Sequence, residues 1–600
     1  MKNDLNEILK APSWQMKDAY GAIGSERWRQ SLARVDALEA ALRVMPDPVD
    51  VLSGLALYEE AETLLSSLAA FAKCTGAKDS TDPAVSPAEG VLSLAKARIE
   101  GASERLFAAI GALSDTNPLW SREPLAHWKF ELQERGRSWK NRLSEKDRAW
   151  LSDFETSVFQ PLGSVFKSLQ SRLKFPAVNS AGETVTISAS RMVSVIKGDP
   201  DRELRKSVAA GLNDFYHRNA DLYAALLNEL HGFRLAAFKR AGVADPLSVS
   251  LHQNRMSLAC LEAIRQAIQA NLGQIRRAVT LRAPFFGGEK LEVFDLMAPA
   301  PVKQDEARRI PYAEGIAVVK GSLATVHPEM AAFIDLMLER GWVDAAPSDK
   351  KIGGAFYSRF NEFKIPRVFS SYTGSITAIL QQGHELGHAF HYWQIRDLPV
   401  IETEFPMTLT ETASTFNEAV IRRHLFEGAG ETEQCAMLWQ EARSAANFLL
   451  NTIVRMEFEL AFLKEREKGA VPASRCFELM ESAWRAWYGD STKGADACLW
   501  AYKLHYYKTD QFIYNYPYTV GYLLSQALLK ELAARGSDFY SFYIALLRDT
   551  GRMSVDGIVE KHFKGDATNP AFWEGVLSPV FSSIDLFSER AQRELAKRAA

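Results

Sequence analysis

Apolar residues recur at three- and four-residue intervals, with charged faces between them, over residues 25–45, 50–73, 86–113 and 145–174. The same period runs through 200–241, 258–282, 431–468, 520–535 and 583–599. That period is helical, because positions three and four apart share one face. Strand signals are few. Residues 177–187, Ala177 to Ile187 around Gly182, read as a hairpin with a glycine-containing turn. Gly353 to Phe360 reads as a short strand. The pattern predicts a mostly α fold with a few short strands, a helical amino-terminal region over 1–190 and a further region over 191–600. No internal repeat or low-complexity linker interrupts it.

One helical stretch carries chemistry. Residues 384–391 read His384-Glu385-Leu386-Gly387-His388-Ala389-Phe390-His391. On a helix, i and i+4 lie on one face, so His384 and His388 can present two imidazoles to one metal ion. Glu385 can then take a proton from water at the metal's open position. Chance places H-E-x-x-H somewhere in 600 residues in roughly one to two per cent of cases, and the context lowers that further. Residues 375–383 are helix-compatible, and Ser371 or Thr373 can cap their start. Gly383 and Gly387 each cost a helix up to about 1 kcal/mol against alanine, so they suggest a close neighbour or a substrate.

A catalytic zinc usually takes three protein ligands. Gln394 stands ten residues after His384, which excludes the class with a third histidine there. His391 continues the row along the same helix, so it reads as support or core. After a loop around Pro399, a second helix starts near Pro406 or Thr408 and carries Glu411 and Glu418, seven apart and on one face. Packed antiparallel, it would bring Glu411 against the histidines. Glu402 and Glu404 in the loop are the alternatives.

The run from His384 to His391, followed by Glu411-Thr412-Ala413-Ser414-Thr415-Phe416-Asn417-Glu418, resembles the M3 metallopeptidases, and within them the oligoendopeptidase F branch. Asp199 to Lys206 and Lys351 to Tyr357 resemble further segments of the family's catalytic region. The resemblance implies that residues 191–600 form that region. It implies one zinc per chain, held by His384, His388 and Glu411, with Glu385 as base and Glu418 as support. It implies a two-lobed helical zincin with a deep central channel that admits extended oligopeptides. The family's late tyrosine-rich stretch is matched by His505 and the tyrosines that follow. His505 is the expected oxyanion donor, with Tyr516 and Tyr522 the preferred tyrosines and Tyr514 and Tyr518 their rivals.

Composition narrows the setting. A net charge of −3 gives no general attraction to nucleic acid or an anionic membrane. No uncharged apolar run is long enough to span a bilayer, and Met1 to Glu7 carries no signal-like apolar stretch. Five scattered cysteines make neither a disulfide framework nor a C-x-x-C site, which suits a reducing, cytoplasmic location. Basic residues Arg422, Arg423 and His424 read as a solvated helix face. The expected activity is zinc-dependent endopeptidase action on short unstructured peptides. The rivals are a zinc carboxypeptidase or dipeptidyl carboxypeptidase, with Arg359 or Arg367 gripping a carboxy terminus, and a non-catalytic peptide-binding protein, against which the intact Glu385 argues.

Overall fold

The computed structural model describes residues 10–302 and 309–599, Pro124 excepted. The stretch Met1 to Glu7 thus lies outside the described residues. Helices dominate, and the described strands form three small sheets. No helix is long and apolar enough to cross a membrane among the described residues. All five cysteines are buried and none is joined in a disulfide.

Contacts divide the chain into two compact units that alternate along the sequence. One comprises residues 1–141, 305–427 and 527–565; the other comprises 142–304, 428–526 and 566–600. The division expected at residue 190 is one along the sequence, whereas these units are discontinuous.

In the first unit, helices Glu26–Arg43, Val51–Lys78 and Val85–Gly111 pack together. Ser25 and Asp50 cap the first two by accepting backbone N–H bonds, which satisfies donors a helix start leaves free. A three-stranded sheet has Ile365–Phe369 in the middle, Val343–Asp344 parallel on one side and Phe356–Phe360 antiparallel on the other. Phe356–Phe360 is therefore an outer strand. Phe360 and Phe369 join the core formed with Trp14, Leu68 and Phe71. The motif helix, Ile376–Ile395, packs on this sheet. Its cap is Ser375, whose hydroxyl accepts from the Ala378 N–H at 3.2 Å. Neither Ser371 nor Thr373 fills that place, because the helix starts one turn later than expected.

The second unit holds the hairpin, Lys174–Val178 against Thr184–Ser188, with Gly182 at φ +79° in its turn. Asp201 ties that turn to the next helix: its carboxylate accepts from Ser180 N at 2.8 Å and from Leu204 N at 3.0 Å. Several stretches expected as single helices are divided. The 200–241 stretch breaks at Asn219 and the 258–282 stretch at Asn271. Each asparagine amide donates to the carbonyl four residues back, Phe215 or Ala267, which offers the backbone an alternative to continuing the helix. The 145–174 and 431–468 stretches each contain a π-helical turn, at Glu155–Phe159 and Asn447–Asn451. The last helix is longer than expected, Pro570–Ala599, with Pro579 inside it.

Candidate metal centre

The motif helix buries nearly all of the residues that matter. Glu385 and His388 are each 7% exposed and His391 fully buried. The second motif does not form one helix. A single turn, Met407–Thr410, ends at Glu411, and Thr412–Gly428 follows. Glu411 thus sits at the junction, with backbone φ −85° and ψ 0°.

The two glycines of the motif explain how these helices meet. A Cβ on Gly387 would lie 2.8 Å from Ala413 O and from Ser414 Cα. A Cβ on Gly383 would lie 2.1 Å from Ile421 Cδ1. The glycines therefore admit the neighbouring helix Thr412–Gly428, the first of the two readings the sequence allowed.

That close approach assembles a donor set. Glu411 Oε2 lies 3.4 Å from His384 Nε2 and 3.5 Å from His388 Nε2. The donor atoms of these three residues all lie within 4.8 Å of one another. Zinc bonds to nitrogen and oxygen of about 2.0–2.2 Å make the edges of a tetrahedral site about 3.4 Å long, so two of the three edges already have the required length. Glu402 and Glu404 are placed elsewhere. Glu402 pairs with Arg552 at 2.8 Å and Glu404 with Arg135 at 2.9 Å. His391 is core: its Nε2 lies 2.8 Å from Thr550 Oγ1 and its ring stacks on Phe405.

Neighbours fix the donors. His384 Nδ1 is 2.7 Å from Glu418 Oε1, which leaves Nε2 for a metal. Glu418 in turn pairs with Arg422 at 2.5 Å. Arg422 is therefore a supporting residue of the site and not part of a solvated face, which corrects the reading from charge pattern alone. Arg423 does lie on the surface, 66% exposed beside Glu427. Ser414 donates to Glu411 Oε2 at 2.8 Å. Tyr357, from the outer strand, stacks on His388 with ring centroids 5.2 Å apart. The Ser414 and Tyr357 roles were not foreseen; Ser414, one turn beyond Glu411, was inferable from helical spacing.

The electrostatics suit a cation. Burial lowers the His384 pKa, but the hydrogen bond and charge of Glu418, then Glu411 and Glu385, outweigh it and carry it to about 9. Burial, then the neighbouring His384 charge, pushes His388 down to about 3. Burial raises Glu385 to about 7 against the pull of His384. Burial raises the Glu418 carboxyl too, but Arg422 and His384 prevail and its pKa is lowered. Three carboxylates, Glu385, Glu411 and Glu418, gather here against one arginine, and a divalent cation would take the place of the proton that they favour on His384. The donor set fits zinc.

The late tyrosine region belongs to the second unit. His505 has Tyr514 and Tyr518 beside it, with ring centroids 5.4 and 5.5 Å away. Burial, then Lys503 and Arg455, depresses its pKa to about 2, so its ring is neutral at ordinary pH. Tyr516 is fully buried, with its hydroxyl 3.2 Å from Ser250 Oγ. Tyr522 stacks on Phe448. The structure thus sets Tyr514 and Tyr518, the rivals of the preferred Tyr516 and Tyr522, beside His505. A period of four puts Tyr514, Tyr518 and Tyr522 on one face, and the first two lie beside His505.

A helical fold in which two histidines of an HExxH helix meet a glutamate from a second segment defines a class, the helical proteins with a zincin-type donor set. Residues 195–575 match the model of peptidase family M3, and the chain belongs to that family. The chromosomal oligoendopeptidase F of Lactococcus lactis subsp. cremoris is 23% identical over 381 residues, 61% of this chain and 60% of that protein. The chain thus aligns with about 60% of the length of that curated relative. A crystal structure of a putative peptidase from Chlamydophila abortus shares the fold with a TM-score of 0.81 at 19% identity, over 96% of this chain and 98% of that one. The oligoendopeptidase-F structure from Enterococcus faecium gives 0.66 at 17% identity, over 94% and 97%. The relatives that it resembles thus include proteins named oligoendopeptidase F.

Proposed function

We propose that this protein is a zinc-dependent endopeptidase that cleaves internal bonds of short, unstructured oligopeptides. The observation that supports it most is the placement of Glu411 Oε2 at 3.4 and 3.5 Å from the two imidazoles. A zinc ion held by His384, His388 and Glu411 would act as a Lewis acid and lower the pKa of bound water toward about 7. Glu385 takes a proton as water adds to the scissile carbonyl carbon. It returns that proton to the leaving nitrogen as the C–N bond breaks. Its burial, which lifts the carboxyl to about 7, suits both directions of transfer. Such a base has no use in a protein that only binds peptides.

The outer strand Phe356–Phe360 offers its open edge to an extended peptide. Backbone pairing there gives affinity with little demand on sequence. The endopeptidase reading is favoured over a carboxypeptidase because both arginines considered as carboxy-terminal grips are engaged. Arg367 is 1% exposed and bonded to Asp18. Arg359 donates to the Thr403 carbonyl and lies 3.6 Å from Glu404. The family resemblance implies His505 and a tyrosine of the same stretch as oxyanion donors, and a deep channel that limits substrates to extended chains; Tyr514 and Tyr518, which lie beside His505, are the candidates that its surroundings favour. Five buried cysteines without a disulfide support a cytoplasmic location.

Mass spectrometry of digests tests the reading. Amidated and free-acid peptides of roughly five to twenty residues, a range taken from the family analogy, are expected to be cut at internal bonds, while a folded protein stays intact. Release of carboxy-terminal residues or dipeptides alone would favour the exopeptidase.

A further inference from the structure

Lys73 lies near the end of helix Val51–Lys78, in the amino-terminal part of the first unit, and is exposed. Its ammonium stands 3.9 Å from the centroid of the Phe356 ring. Phe356 opens the outer strand Phe356–Phe360. The next residue, Tyr357, stacks on His388. Successive side chains of a strand point to opposite faces, so one strand start has the ammonium on one side and a candidate metal-binding imidazole on the other. Lys73 and Glu385 also act on each other electrostatically.

Four other cations of this unit are already engaged. Lys351 pairs with buried Asp344 at 2.6 Å, Lys78 donates to the Trp14 carbonyl at 2.7 Å, and Arg359 and Arg367 are engaged as described. Lys73 instead rests on an aromatic face. Loss of hydration lowers its pKa, and Cys74 and Glu385 only partly offset that. A cation over a ring keeps its charge available to an anion arriving from the open side.

We infer that Lys73 is a substrate-binding residue that receives a carboxylate of the peptide lying along the Phe356–Phe360 edge. That carboxylate is an aspartate or glutamate side chain, or the carboxy terminus itself. The inference rests on the peptidase reading above and gives the enzyme a preference that backbone pairing alone does not. It also assigns to the amino-terminal region, where no motif was found, a part in choosing substrates.

The test uses the zinc-loaded full chain, as wild type, K73M and K73R. Four matched quenched peptides carry Asn or Asp near the scissile bond, each amidated or as the free acid. KM is read from cleavage and Kd from fluorescence anisotropy. We expect K73M to raise KM and Kd by about two- to fivefold, the upper range of an exposed ion pair, for carboxylate-bearing peptides only. K73R should restore most of the loss. An effect that follows Asp assigns the carboxylate to a side chain; one that follows the free acid assigns it to the chain end. Equal loss on all four peptides, with a displaced pH profile, would mean that Lys73 only tunes Glu385 and would overturn the inference. No change on any peptide would overturn it too. A wild type that binds but cleaves none of them would count against the peptidase reading, while Lys73 is still judged on Kd.

Discussion

Replacing Gly387 by alanine tests whether the helix contact builds the metal centre. The added Cβ would meet Ala413 O and Ser414 Cα at 2.8 Å, about 0.6 Å inside an ordinary contact. Both are backbone atoms, so no side-chain rotation relieves the clash, and the helix Thr412–Gly428 has to move. Overpacking costs about 1–3 kcal/mol, offset by up to about 1 kcal/mol from the better helix propensity of alanine. The net loss of stability is therefore modest. The effect on metal is larger in proportion. Glu411 is held through Ser414, and a metal site tolerates errors of about 0.2 Å in its distances. A displacement near 0.6 Å exceeds that, and we expect zinc affinity to fall by roughly 10- to 100-fold, the scale of disturbed supporting contacts. Competition against a chromogenic chelator reads the affinity, and urea unfolding of the metal-free protein reads the stability. G90A is the control, because a Cβ there meets nothing within 4 Å; it should gain up to about 1 kcal/mol with unchanged zinc affinity. Wild-type zinc affinity in G387A, together with a stability gain like that of G90A, would refute the reasoning.

Three further outcomes are expected. E385Q keeps zinc and peptide binding but loses roughly 10²-fold or more in kcat; equal rates in metal-replete wild type and mutant would remove Glu385 as base. H505A lowers kcat more than it raises KM, as for a donor that acts mainly in the transition state; a pure KM effect would count against that role. E62Q changes the pH dependence of stability. Burial, then the Glu404 charge, lifts the Glu62 pKa from 4.5 to about 7, so between those values the folded state holds a proton the unfolded state has released. Glu62 therefore makes stability fall as pH rises through that window, by roughly 3 kcal/mol in all. E62Q should match wild type at pH 4 and exceed it at pH 8 in urea midpoints, and an unaltered pH slope would contradict this.

The parts of the site legible in the sequence were those that local geometry dictates. His384, Glu385 and His388 share a helix, and their relation follows from its period. Glu418 was expected on one helix face with Glu411, but Glu411 stands just before the helix Thr412–Gly428 that carries Glu418. What the chain could not reveal depends on contacts between distant segments. Arg422 looks like surface charge until Glu418 is seen beside it. Tyr357 and Lys73 acquire meaning only because the Phe356–Phe360 strand sits beside both the motif helix and an amino-terminal helix. Tyr516 looked as suitable as Tyr514 because a tyrosine's neighbours are not written in its spacing. The fold was legible at the level of helices, while breaks at Asn219 and Asn271 were hidden within continuous apolar periods. Helices Tyr312–Ala324 and Pro328–Glu339 went unmarked altogether.

The most direct test of the account is zinc content measured together with peptide cleavage in wild type, E385Q and E411A. The account predicts about one zinc per chain in wild type and E385Q, little in E411A, and cleavage in wild type alone, abolished by a strong chelator and restored by zinc. Full zinc occupancy and full rate in E411A, or cleavage that survives complete removal of the metal, would contradict it.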